Sequence, residues 1–231
     1  MDVACVVPAY DEIGTVERTL DSLVGTESEV IVVVGGTDGT AGVARAHPAV
    51  DLVLTDTEES GPAAARNRGA RATDAEVVCF TDADTVVAPG WVARHASHYH
   101  DPRVVCVGGP LRPLDGSRRD RLLFGLLSDW WYRVSWPVGF VQASGNNCSY
   151  RREALLDAGG FDESLPFLED TDCSMRLARR GRAVYDRHAW VATSPRRQHR
   201  QGYLGLLGEY AAGYARYLLD AQRDSGYFRR R

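Results

Sequence analysis

Lysine is missing from this chain: all 27 basic residues are arginine, a compositional bias that carries little functional information. Cysteine is scarce and never occurs as Cys-x-x-Cys. Cys5, Cys79, Cys106, Cys148 and Cys173 lie mostly inside apolar runs and are odd in number, so they read as buried thiols of a reducing cytoplasm rather than as disulfides or zinc ligands. There is no excess of positive charge. A net charge of -4 argues against a broad nucleic-acid-binding face, although the last 36 residues, from Arg196, hold eight arginines and leave local anion binding open. A secretory leader is not expected, because the apolar residues 3–7 run at once into Pro8 and acidic residues. The longest hydrophobic window, 122–141, is interrupted by Asp129, Arg133 and Pro137 and fails as a membrane span, though it can still lie on a surface. Internal repeats and low-complexity linkers are absent, and Arg229-Arg230-Arg231 reads as a frayed terminus. His95, His98 and His100 fall on a surface helix and its exit, which speaks against zinc.

What is present is enough apolar material, 44% of 231 residues, to bury a full core in one compact unit. β-Branched runs at 3–7, 30–34, 50–54, 77–80 and 104–107 read as strands, and helical spacing fills 15–24, 40–46, 62–71 and 89–99, with Pro62 and Pro89 suited to first helical turns. Strand–helix alternation predicts an α/β fold, a Rossmann-like, mostly parallel central sheet flanked by helices. After Gly108-Gly109-Pro110 the regularity changes to a loop, an aromatic helix at 122–136 and a polar stretch at 144–147.

Two acidic clusters carry the chemistry. Asp82-Ala83-Asp84 follows the buried strand 77–80, so its carboxylates emerge at a strand's C-terminal end, where open α/β sheets bind ligands. Carboxylates at that spacing can grip a hard ion such as Mg²⁺ or Mn²⁺ and leave coordination positions for phosphate oxygens; the plain alternative is an Asp-rich turn. The second cluster, Glu169-Asp170-Thr171-Asp172, precedes a helix at 173–180, where acids also serve simply to complement the helix dipole.

Several motifs in order resemble family 2 glycosyltransferases: Val6-Val7-Pro8-Ala9-Tyr10-Asp11-Glu12, Gly35-Gly36-Thr37-Asp38-Gly39-Thr40, Gly61-Pro62-Ala63-Ala64-Ala65-Arg66-Asn67-Arg68-Gly69, Asp82-Ala83-Asp84, Gly159-Gly160-Phe161-Asp162-Glu163 and Glu169-Asp170. The resemblance covers about residues 3–195. It implies a GT-A fold and an inverting enzyme of cell-envelope glycan synthesis that transfers a sugar from a nucleotide-diphosphate donor to a glycan, lipid-linked or small-molecule hydroxyl, or to a lipid phosphate. The organisation expected is a catalytic domain at 1–195, with a nucleotide-sugar half at 1–110 and an acceptor half at 111–195, then a basic loop and a C-terminal helical extension at 196–231.

On the resemblance, Pro8, Tyr10, Glu12, Asp38, Arg66 and Asp82 contact the nucleotide. Asp84, with Asp82 and His199, holds Mg²⁺ or Mn²⁺. Asp170 is the general base and Glu169 orients the site. Asn146, Asn147 and Trp131 meet the acceptor. Each has an ordinary alternative: a helix cap near Asp11 and at Asp38, a brace of the Asp82 loop or a solvated face for Arg66, a solvated basic loop around His199, buried backbone for Asn147, core packing or lipid contact for Trp130, Trp131 and Trp136. Many family members carry an Asp pair where this chain has Val33 and Val34, which leaves the donor base open. The apolar stripe Tyr203, Leu206, Leu207, Tyr210, Tyr214, Tyr217 and Leu218 either packs on the catalytic domain or meets a membrane surface or partner subunit. The location expected is the cytoplasm, with peripheral contact at the inner face of the membrane as the variant. Rival readings are a sugar nucleotidyltransferase, whose Gly-rich basic loop is absent, and a noncatalytic nucleotide-sugar-binding protein.

Overall fold

The computed structural model describes residues 1–56, 61–165 and 167–223, without the side chains of 197, 216 and 218–223. Leu218's side chain and the run Arg229-Arg230-Arg231 therefore lie outside the described residues. Four strands build the first half: β1 (Val3–Tyr10), β2 (Glu29–Gly35), β3 (Leu52–Thr55) and β4 (Val77–Phe80). Their alternate residues feed two separate cores. Val3, Cys5, Val7, Val32 and Cys79 face one layer, while Ala4, Val6, Ile31, Val33, Val78 and Phe80 face the other. A sheet covered on both faces needs apolar residues at every position, which is why these strands are continuous rather than alternating hydrophobic runs. Helices α1 (Val16–Asp21), α2 (Thr40–Ala46) and α3 (Gly61–Arg71) connect them, giving parallel pairs β1–β2, β2–β3 and β1–β4.

Beyond β4 come β5 (Thr85–Val87), α4 (Trp91–His98), β6 (Val104–Gly108) and β7 (Leu111–Pro113). The polar stretch after residue 144 runs into a strand that pattern reading passed over, β8 (Cys148–Arg151), inserted antiparallel between β4 and β6. With β9 (Arg182–Tyr185) the main sheet has the order β3-β2-β1-β4-β8-β6-β9, and β10 (Val191–Thr193) joins β5 and β7 in a smaller sheet. This is the mixed, mostly parallel α/β sheet expected.

The aromatic helix begins earlier than its apolar spacing predicts. Ser117 and Asp120 form a reciprocal capping box that starts α5 (Arg118–Phe124), so polar residues ahead of the apolar run are drawn into the helix. A wide turn at 125–130, then α6 (Trp131–Ser135) and a tight turn at 136–138, continue the same rod. Next are α7 (Arg152–Asp157), α8 (Glu169–Ala178), α9 (Arg196–Gln201) and the long α10 (Tyr203–Arg223). Helix α10 packs back on the domain: Tyr217 Oη donates to Asp172 at 3.0 Å, and the Tyr210 and Tyr214 rings lie 4.9 and 5.5 Å from Phe167 and Phe140. Gly213 allows this approach, since a Cβ there would sit 2.8 Å from the Phe167 ring. No helix among the described residues is long and apolar enough to cross a membrane.

Candidate active site

The C-terminal ends of β1, β2 and β4 converge on one edge of the sheet, and the loops leaving them are tied together by side chains. Asp11, at φ 50°, accepts from the Thr37 and Asp38 amides at 2.9 and 3.2 Å. Gly36 must lack a Cβ because one would overlap the Asp11 carboxylate. Asp38 in turn accepts from the Thr40 hydroxyl and from the Ile13 and Thr40 amides, the amides at 2.9 Å, and these bonds, the hydroxyl's foremost, hold its carboxyl below the usual range. The carboxylates of Asp11 and Asp38 are thus engaged in fixing the loops, while the N-cap of α2 is Gly39. Pro8 lies inside β1, while Tyr10 stands exposed beside Gly35. Val33 and Val34 are buried in β2, so the residues that replace the Asp pair serve the core.

Glu12, Asp84 and Arg196 form the first charged group. Nη2 of Arg196 lies 2.9 and 3.1 Å from the two Glu12 oxygens and 3.1 Å from Asp84 Oδ2. The link joins residues 184 apart in the chain, and its arginine is exposed. Burial, then the neighbouring Asp82, raises the Asp84 carboxyl above its ordinary value against the pull of Arg196. His199 is turned elsewhere: its Nε2 is 3.2 Å from Asp120, which also accepts from Tyr203 Oη at 2.7 Å.

Arg66 builds the second group. Its side chain leaves α3 and is nearly fully buried, at 4% exposure, with Nη2 donating to Asp82 at 3.0 Å and Nη1 to Glu169 at 2.9 Å. The two acidic clusters of the sequence therefore meet on one guanidinium. Burial opposes its charge, but Asp82, Glu169 and Asp170 more than offset this and raise its pKa. The fork geometry and permanent charge of arginine suit a buried two-acid bridge better than an ammonium would. Its next neighbour Asn67 clamps the Gly159-Gly160-Phe161-Asp162-Glu163 turn, with the Phe161 amide, Phe161 carbonyl and Glu163 carboxylate at 2.7–2.8 Å. That motif is a brace for the loop leading to α8.

Asp170 sits in the first turn of α8, accepting from the Gly145 amide at 2.8 Å and from its neighbour's amide, Thr171, at 2.6 Å. Leu168, just before the helix, holds φ at 69°, a left-handed conformation that costs a leucine about 1 kcal/mol or more and is retained where a turn must aim its side chains. Burial raises the Asp170 carboxyl to about 6, the Glu169 charge adds to this, and Arg66 with the two amides opposes it. Gly145 is the hinge of the arrangement: its amide holds Asp170, and a Cβ would lie 2.6 Å from Arg66 Cζ. Its role did not emerge from the sequence, where the local signal was a glycine ahead of two asparagines; the run around Arg196 was legible as cations suited to a diphosphate, but its contacts with Glu12 and Asp84 were not.

Of the residues expected to meet an acceptor, Asn147 is fully buried, accepting from Trp91 Nε1 at 2.8 Å and donating to the Ala189 and Pro110 carbonyls at 2.9 and 3.1 Å. Those contacts are the buried-backbone alternative. Asn146 is partly exposed and accepts from Ser144 Oγ at 2.8 Å. Trp131 lines, with Asp170, a cavity between the 118–138 rod and α10. Among the histidines, His95 is buried and bonded to Ser149, and His98 is paired with Asp186. All five cysteines are buried and free.

The family model described as glycosyl transferase family 2 matches residues 4–156, which takes in the first strand, the Asp11, Asp38 and Asp82 loops, Arg66 and Gly145. The chain belongs to this family. Among its family relatives, pre-mycofactocin glycosyltransferase of Mycobacterium tuberculosis is 32% identical over 214 residues, covering 86% of this chain and 44% of that one. The chain thus spans less than half the length of that relative. Glycosyltransferase AglE of Haloferax volcanii is 25% identical over 208 residues, covering 84% of this chain and 67% of that one. Among solved structures, the mannosyltransferase PcManGT from Pyrobaculum calidifontis, in complex with GDP-Man and Mn²⁺, superposes with a TM-score of 0.75 at 27% identity, over 96% of this chain and 64% of that one. S. aureus TarS in complex with UDP-GlcNAc gives 0.63 at 22% identity, over 80% and 56%, a likeness of fold. The family 2 chain has the GT-A architecture of these neighbours.

Proposed function

We propose that the protein is an inverting glycosyltransferase that moves a hexosyl group from a nucleotide-diphosphate donor to an acceptor hydroxyl, with a divalent metal at Asp84 and Asp170 as general base. The observation that carries the reading is the Arg66 bridge, which fixes the Asp82 loop and the start of α8 as one frame. Support for the donor comes from family membership and from PcManGT, whose complex contains GDP-Man.

Among the described residues no three acidic, histidine or cysteine groups are gathered into a ready metal cage, but a carboxylate pair suits a hard cation that substrate phosphates also hold. Glu12 and Asp84 together hold one guanidinium nitrogen of Arg196, so the pair already accommodates a positive charge. When Mg²⁺ or Mn²⁺ is bound there, it supplies charge that offsets the negative charge growing on the departing diphosphate oxygen. Asp84 would hold it, with Glu12 and Asp82 alongside, and Arg196, exposed on a short helix, is free to turn from the carboxylates to the phosphates. In the transfer itself the acceptor oxygen attacks the anomeric carbon from the face opposite the phosphate. The carbon–oxygen bond to the diphosphate breaks as Asp170 takes the hydroxyl proton. A raised carboxyl is a stronger base than a free aspartate, and at neutral pH it is still ionised.

The test is nucleoside diphosphate release from a panel of UDP-, GDP- and dTDP-hexoses, with Mn²⁺, Mg²⁺ or EDTA. Release that needs metal and is lost in both Asp84→Asn and Asp170→Asn supports the reading. Retention in Asp170→Asn with loss in Asp84→Asn points to an already ionised phosphate acceptor; pyrophosphate exchange, or binding without turnover, overturns it.

A further inference from the structure

The acceptor region has a composition of its own. A cavity of about 540 Å³ opens beside Asp170, between the 118–138 rod and α10. Its walls include the rings of Phe124, Trp130, Trp131, Tyr203, Tyr210 and Tyr214, with Leu206 and Leu207 on the helix side. Most polar groups in the lining are already engaged. Ser128 Oγ is bonded to the Phe124 carbonyl at 2.9 Å and the Leu111 amide at 3.1 Å, Gln142 Oε1 accepts from Tyr214 Oη at 3.1 Å, and Ser144 Oγ donates to Asn146 at 2.8 Å. Two groups can still take a ligand's hydrogen bond: the Asp170 carboxylate, whose oxygens accept from the Gly145 and Thr171 amides and keep further lone pairs, and Gln198 Oε1, which is buried without a hydrogen-bond partner.

A sugar needs a partner for nearly every hydroxyl it buries, and each buried hydroxyl left unpaired is costly. These walls meet few of them. They do suit a ring system that lies against aromatic faces and presents a hydroxyl to Asp170. The volume falls within the range of sites that enclose a drug-sized molecule, about 300–1,000 Å³, and is too small for a whole polyprenyl chain.

Resting on the transferase reading above, we propose that the acceptor is a compact amphiphile: an alcohol, glycoside or phenol whose aromatic body fills this cavity and whose hydroxyl reaches Asp170. Gln198 accepts a second hydrogen bond from the same molecule. A free glycan and a bilayer lipid are the alternatives that the cavity disfavours.

Methyl, phenyl and octyl β-glucoside offer the same hydroxyls and differ only in their apolar part, so they serve as probes below micelle-forming concentrations. Binding is followed by quenching of tryptophan fluorescence and by calorimetry on the full chain with nucleoside diphosphate and Mn²⁺ present. The phenyl glucoside should bind at least about tenfold more tightly than the methyl one, because ring burial removes apolar surface from water, and octyl should do no better than phenyl. Leu207→Asp, in the cavity wall, should abolish the phenyl preference. Leu204→Asp, 85% exposed on the same helix and outside the lining, should keep it. Equal affinities, a preference for octyl over phenyl, or loss of the preference in Leu204→Asp overturns the proposal. Nucleoside diphosphate affinity is measured separately: if no nucleotide binds, the transferase reading fails; if nucleotide binds and the glucosides are not distinguished, this inference alone fails.

Discussion

Two arginines hold the acidic residues of this site, and they do so in opposite ways. Arg66 is 4% exposed and joins Asp82 to Glu169, whereas Arg196 keeps 57% of its side chain in solvent and joins Asp84 to Glu12. A buried bridge cannot exchange its partners without leaving charges desolvated, so it behaves as a frame. An exposed one contributes little to stability and can be traded for another cation. On the proposed function the site thus divides into a fixed part, which aims Asp170, and an exchangeable part, which would receive metal and diphosphate.

Breaking the frame gives the largest effect. Arg66→Ala leaves Asp82 and Glu169 without their shared counter-charge and should cost less than the roughly 3–5 kcal/mol of a fully buried pair, because Asp82 keeps 36% of its side chain in solvent, and should lower activity, read by urea denaturation and turnover. Gly145→Ala forces a methyl group against the same guanidinium and should act in the same direction, while withdrawing the amide that holds Asp170.

Next is Asp170, the proposed base. Asp170→Asn should lower kcat by about 10²–10⁴ while the protein still binds nucleoside diphosphate. In the unmodified protein the base works only when ionised, and burial shifts that ionisation up to about 6; kcat/KM should therefore fall as pH drops through about 6 and level off above it. A profile flat from pH 5 to 8 would remove Asp170 from that role.

The exchangeable arginine gives the smallest change in stability. Arg196→Ala should alter folding free energy by no more than about 1 kcal/mol, as exposed pairs do. It should also tighten Mn²⁺ binding in the absence of nucleotide, since a competing cation has been removed, and weaken the affinity for nucleoside diphosphate. A loss of Mn²⁺ affinity in that variant would erase the contrast between the two arginines.

The parts that were readable in the sequence were local. Runs such as 3–7 and 30–34 are apolar at every position because both faces of the sheet are covered, and Asp82-Ala83-Asp84 begins one residue beyond such a run. What escaped depends on contacts between distant segments. The strand β8 has only four residues, two of them Tyr150 and Arg151, and nothing in them announces an antiparallel insertion between β4 and β6. Arg66 was singled out for the nucleotide, with a brace of the Asp82 loop as the alternative, yet nothing local pointed to its other partner, Glu169, 103 residues away, or to Arg196 reaching Glu12 across 184. Asn147 shows the limit at one residue: its amide suits a sugar or a buried carbonyl equally well, and only packing against Trp91, Pro110 and Ala189 decides. The cavity walls come from the 118–138 rod, α8, α9 and α10 together, so no single stretch could reveal their aromatic character.

Crystals soaked with Mn²⁺ and either UDP or GDP, recorded at a wavelength where manganese scatters anomalously, test the division of labour most directly. An anomalous peak about 2 Å from an Asp84 oxygen is expected, with Arg196 withdrawn from Asp84 and Arg66 still bridging Asp82 and Glu169. A peak away from Asp84, or nucleotide bound while Arg196 remains on Glu12 and Asp84, would contradict that division.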